Sequence, residues 1–173
     1  MKKIIQVFLI FFVLFSSGYA ASWNPTDVAE ASSSKKVQAI DFTLKSTTGR
    51  TVRLNHYRGK SPVLLVFWAT WCPYCKTQIP SLIAMRKTYK SRELQILAID
   101  VDPRGKTEAF IKANDINYTV LYDAKTQGAK KASVSDLYNV RGIPMSVLID
   151  ENGQILYMGN KLPSQKVIDS VVS

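Results

Sequence analysis

The chain has 173 residues, 46% of them apolar, which is enough for one domain with its own core and excludes a disordered chain. Its formal net charge is +10, but the basic residues are scattered as pairs such as Lys35 and Lys36 or Lys130 and Lys131, not interleaved with aromatics in a stripe, which argues against nucleic-acid binding. Two cysteines and one histidine are too few for a disulfide scaffold and cannot by themselves fill a four-ligand zinc site, so no metal or other cofactor is expected.

In chain order, "MKK" supplies a positive segment, residues 4–15 form an apolar run broken only by Gln6, and Gly18 and Ala20 stand where a cleavage site needs small residues. This layout predicts a secretory signal peptide over 1–20. The alternative is an uncleaved membrane anchor, for which the run is shorter than the roughly 18–20 apolar residues of a span. Either way the domain is expected to be periplasmic or otherwise extracytoplasmic. Loss of Lys2 and Lys3 with the leader, and of no acid, takes the charge from +10 to +8. Residues 21–38, rich in Ser, Ala and Lys, predict a flexible lead-in, and 39–173 the folded domain.

"AIDFTL" (39–44) and "RTVRLNHY" (50–57) are short strand-like pieces around a turn ending near Gly49, a hairpin signature. "PVLLVFWA" (62–69) is a continuous apolar, β-branched and aromatic run, as expected of a strand buried on both faces. A helix follows over 73–89, with Pro80 inside it predicting a kink. Strands are expected at 94–101, 118–123, 144–150 and 154–159, and helices at 106–115, 128–140 and 163–173. This alternation predicts an α/β sheet covered on both faces, with the loop after the first central strand at the strand's carboxyl end.

That loop holds "WCPYCK", with Cys72 and Cys75. As a staple, the pair would close a very small loop and remove little unfolded-state entropy. As a metal site it lacks partners, because His56 lies well upstream in a loop-like segment. Redox chemistry suits it better. Cys72 falls where a strand becomes a helix, so unpaired N–H groups and the positive end of the dipole favour its thiolate. Pro73 fits the first helical position. Cys72 is expected to be the exposed attacking thiolate and Cys75 the sheltered thiol that resolves the mixed disulfide. Lys76 adds a positive charge to tune the thiolate.

"FWATWCPYC", Pro80 and "VRGIP" (140–144) together resemble the thioredoxin superfamily, and the upstream "FTLKSTTGRTVRLNHYRGK" and the segment 105–123 resemble its exported TlpA/ResA-like branch. The resemblance covers most of residues 40–173. It implies a thioredoxin-like α/β fold: a central mixed sheet with helices on both faces, an N-terminal β-hairpin and a central helix-strand insertion. It implies a cis peptide at Pro144 and a partner groove built from Trp71, Pro73, Tyr74, Ile143 and Pro144, with Trp68 in the core. The expected partners are protein thiols and disulfides of exported proteins, with a membrane thiol-disulfide carrier as electron donor. That branch mainly reduces, as in cytochrome c maturation, though some members oxidise.

One departure matters. Where ResA-like members carry a glutamate three residues after the second cysteine, this chain has Gln78, and the buried aspartate position of thioredoxin is Val66. Gln78 can hydrogen-bond but cannot titrate. Asp100 or Asp102, at the end of the neighbouring strand, or water, is left to move the second thiol's proton. Two rival activities stand beside the oxidoreductase. A thiol peroxidase wants a threonine three residues before its cysteine, where this chain has Ala69. A non-catalytic binding module would have no use for the intact cysteine pair.

Overall fold

The computed structural model describes residues 37–89, 93–102, 105–123 and 133–172. The expected leader and most of the lead-in lie outside these residues. No helix among the described residues is long and apolar enough to cross a membrane.

A five-stranded sheet organises the domain. Its strands are β3 (Val63–Trp68), β4 (Gln95–Asp100), β5 (Thr119–Tyr122), β6 (Met145–Ile149) and β7 (Ile155–Gly159), in the order β5-β4-β3-β6-β7. β3 pairs parallel with β4, and β4 with β5, while β6 runs antiparallel to β3 and β7 to β6. All six residues of β3 are buried, because helices or loops cover both of its faces.

Alternation along β3 sends Leu64, Val66 and Trp68 to one core and Val63, Leu65 and Phe67 to the other. The first core is closed by α1 (Pro73–Thr88), α2 (Thr107–Ala113) and α4 (Gln165–Asp169), through Leu82, Phe110 and Ile168. The second is closed by α3 (Val134–Leu137) and an N-terminal hairpin of β1 (Thr43–Lys45) and β2 (Thr51–Arg53). There Tyr138 packs edge-on to Phe42, centroids 6.4 Å apart, and donates its hydroxyl to the Ile40 carbonyl at 2.8 Å. Gly49 supplies the left-handed backbone of the hairpin turn, at φ 80°.

The same N-terminal stretch touches both margins of the sheet. The Ile155 N–H donates to the Val37 carbonyl at 2.8 Å, and Gln38 bridges Gln154 beside β7. At the far margin the Thr47 N–H donates to the Val120 carbonyl at 3.0 Å, and Ser46 bridges Leu121 of β5.

Two element expectations are corrected. The piece expected as a strand over 50–57 is strand only at Thr51–Arg53, after which Leu54–Tyr57 coils into a 3-10 turn that buries Leu54. The helix expected over 128–140 runs only from Val134 to Leu137 in the described residues. Ser133 is extended (ψ 157°) and caps it, accepting the Asp136 N–H while the Asp136 carboxylate takes the Ser133 N–H. Residues 128–132 lie outside the described residues.

Candidate active site

The chain leaves β3 at Trp68, turns through Ala69–Trp71, and enters α1 with Cys72 as N-cap and Pro73 in the first helical position. Cys72 and Cys75 form a disulfide, S–S 2.11 Å, with Cα atoms 5.3 Å apart. The Cys75 N–H donates to Cys72 Sγ at 3.1 Å. An otherwise unsatisfied helix N-terminal donor is thus aimed at the first sulfur, which is the arrangement that lowers a thiol's pKa.

The expected difference in exposure between the cysteines is not seen: both are 3% exposed. In this oxidised form the bond draws both sulfurs over the first turn of α1. What distinguishes the two is position, since Cys72 caps the helix and Cys75 lies within its first turn. The exposed surface around them is aromatic, with Trp71 50% and Tyr74 76% exposed.

The Ile143–Pro144 peptide is cis. Pro144 is buried and Ile143 half-buried, and both line a cleft of about 710 Å³ whose other wall includes Tyr74, Thr77 and Gln78 of α1. Tyr74, Ile143 and Pro144 therefore line one cleft, which starts at the first turn of α1. Trp71 and Pro73 adjoin the cleft in sequence but do not line it. Trp68 sits in the core, tilted against Phe110 with centroids 5.6 Å apart.

Lys76 faces another way. Its ammonium lies over the Phe110 ring, 5.6 Å from the centroid, a cation–π contact on the α2 side. Gln78 donates from Nε2 to the Asn160 carbonyl at 3.2 Å, tying α1 to the loop after β7, and its Oε1 is buried without a hydrogen-bond partner.

The two aspartates beyond β4 differ in their settings. Asp100 stands opposite Trp68 in register and falls on the face of the sheet that carries Cys75. It is fully buried, accepts the Asp102 N–H at 2.7 Å, and takes the Thr107 hydroxyl. Burial raises its pKa to about 6 against the pull of those two donors. Asp102 accepts the Thr70 hydroxyl, bracing the loop that carries Trp71 and Cys72. His56 is exposed in the 3-10 turn. Among the described residues, no cluster of three or more His, Cys, Asp or Glu side chains could hold a metal ion.

Sequence reasoning missed Arg141, Asn160 and Lys161 in the cleft wall. Arg141 lay within the "VRGIP" motif and so carried a signal. Asn160 and Lys161 follow β7, and only the folding of β7 against β6 brings them to α1.

The comparisons agree with this geometry. Residues 36–158 match the family model described as the AhpC/TSA family. The chain is 31% identical over 159 residues to the thiol-disulfide oxidoreductase ResA of Geobacillus kaustophilus, covering 89% of this chain and 84% of that one. It is 30% identical over 156 residues to ResA of Bacillus subtilis, covering 90% and 83% respectively. Among solved structures, a Chlorobium tepidum protein assigned as a DsbE thiol:disulfide interchange protein superposes with a TM-score of 0.69 at 31% identity, over 80% of this chain and 97% of that one. Matched along most of its length to ResA relatives, and folded around a cysteine pair at a helix N-terminus, the chain belongs to the AhpC/TSA family and is a thioredoxin-like thiol-disulfide oxidoreductase of the ResA/DsbE type.

Proposed function

We propose that this oxidoreductase works outside the cytoplasm as a reductant of protein disulfides, either in cytochrome c maturation or on exported proteins generally. Residues 1–20 act as its leader, 21–38 as a lead-in and 39–173 as the working domain. In the reduced enzyme the Cys72 thiolate attacks one sulfur of a client disulfide. The client's other sulfur leaves as a thiolate and a Cys72–client mixed disulfide forms. Cys75 then attacks Cys72, releasing the second client thiolate and leaving the Cys72–Cys75 disulfide. Two electrons pass to the client, and a membrane thiol-disulfide carrier returns them. Trp71, Pro73, Tyr74, Ile143 and Pro144 hold the client segment.

The observation that carries this reading is the Cys75 N–H on Cys72 Sγ, 3.1 Å away at the helix N-terminus. The reductant direction is supported by how few further charges flank Cys72. Strong oxidants owe their potential to a heavily stabilised thiolate. Here Pro73 and Tyr74 bring no charge, and the Lys76 ammonium is engaged by Phe110. For the proton of Cys75 we assign Asp100. It occupies the same face of the sheet, and a pKa of about 6 suits a group that must accept a proton near neutrality.

Equilibration with dithiothreitol, read by tryptophan fluorescence, tests the direction. A potential near or below about −270 mV is expected, and one near about −120 mV would make the protein an oxidant instead. Cys72→Ser should abolish reduction of a protein disulfide, and retention of turnover by that variant would reject the assignment of the nucleophile.

A further inference from the structure

The walls of the cleft carry charge of one sign only. Arg141, just before the cis peptide, and Lys161, beyond β7, both line it, and no aspartate or glutamate does. Both residues are exposed. Among the described residues neither side chain makes an ion pair. The remainder of the surface is apolar or neutral, with Tyr74, Ile143 and Pro144 beside Gln78. Two unpaired cations over an apolar floor attract an anion-bearing chain and repel a cationic one.

We propose that the cleft selects client segments with aspartate or glutamate close in sequence to the attacked cysteine, Arg141 and Lys161 pairing with those carboxylates. The proposal rests on the reading above that the cleft holds the client. Arg141 offers the planar fork that matches a carboxylate bidentately, and Lys161 a mobile point charge. Exposed pairs are individually weak, so two together amount to about tenfold at low salt. Discrimination is larger than attraction alone gives, because a lysine-flanked client meets two like charges. The effect should be screened away as the Debye length shrinks to about 3 Å at 1 M salt.

The test uses the full chain, reduced, in single-turnover reactions with three synthetic disulfide peptides. They differ only in whether glutamate, glutamine or lysine flanks the disulfide. Hydroxyethyl disulfide, small and uncharged, serves as a fourth substrate. Expected are rates in the order glutamate, glutamine, lysine, spanning about tenfold or more at 20 mM salt and converging at 1 M. The double charge reversal Arg141→Glu with Lys161→Glu should invert the order, an outcome that partial unfolding cannot imitate. Rates within twofold of one another in the wild type, or an order unchanged by charge reversal, would overturn the proposal while leaving the oxidoreductase reading intact. Should the wild type fail to reduce even hydroxyethyl disulfide, the reductant reading falls, and this proposal with it.

Discussion

Asp100 shows how one buried carboxylate links stability to chemistry. Burial is the largest influence on it and pushes its pKa up to about 6, with the Thr107 hydroxyl and the Asp102 amide opposing. The sign follows directly. The folded state binds this proton more tightly than the unfolded chain, whose aspartates titrate near 4. The contribution of the protonated form is fully present below about pH 4 and is lost as pH rises through about 6. Two pKa units correspond to about 3 kcal/mol. Asp100→Asn should therefore unfold at higher urea than the wild type at pH 7.5, and the two should converge below pH 4. An asparagine variant less stable at pH 7.5 would mean that the two hydrogen bonds outweigh desolvation. If Asp100 also accepts the Cys75 proton, the same variant loses the inflection near pH 6 from its rate profile. A wild-type profile with no inflection near pH 6, or one that Asp100→Asn leaves in place, would make Asp100 a purely structural carboxylate.

Among the elements, the helix starts carry most of the local design. α1 begins at a cysteine cap, whereas α3 begins at a capping box, Ser133 with Asp136. The carboxylate of Asp123, at the end of β5, also takes the Val134 and Ser135 N–H groups at 2.8 and 3.1 Å. Ser133→Ala should cost about 1 kcal/mol in urea unfolding and speed amide exchange in α3. An unchanged midpoint would show that Asp123 alone holds this terminus. The same elements show what the sequence made legible. β3 could be read because two-sided burial demands an unbroken apolar run, and α1 because Pro73 and the cysteines mark its start. In the described residues α3 is shorter than expected: Ala, Lys and Leu in "GAKKASVSDLYNV" favour helix, but the capping box at Ser133 and Asp136 sets its start and Tyr138 its end. In the site, the redox pair could be read from the Cys72–Cys75 spacing and its place at a strand-to-helix junction, whereas the cis-proline wall was implied only by the family resemblance. The wall built by Asn160 and Lys161 carried no motif, since it depends on the β6-β7 pairing and on Gln78 reaching the Asn160 carbonyl. The similar burial of the two cysteines could not be read from spacing either.

For the molecule as a whole, β3 is the shared wall of two cores, and the segment from Val37 to Thr47 borders the sheet on both sides. Unpaired strand edges invite pairing with other chains, so these contacts protect as well as stabilise. Thr47→Pro isolates one of them. Thr47 follows Ser46 in a turn closed by the Gly49 N–H on the Ser46 carbonyl, a place where proline is well tolerated. Proline there would ordinarily add roughly 0.4–1 kcal/mol. Here it also removes the donor to the buried Val120 carbonyl, a loss of about 1–3 kcal/mol. The expected net result is a lower thermal midpoint and scattering that grows with protein concentration. A higher midpoint would show that the Val120 contact contributes little.

The contact between Val37 and Ile155 also has a consequence for how the chain is made. Synthesis delivers Val37 first and Ile155 more than a hundred residues later. The cover for the last strand therefore waits, already extruded, for nearly the whole domain to appear. Long-range closures of this kind come late, after much of the loop entropy has been spent. A nascent chain halted between the end of α1 and β7 would hold its cysteine pair and central strand while keeping one margin of the sheet open to its neighbours, which is the interval in which a holding chaperone would matter most.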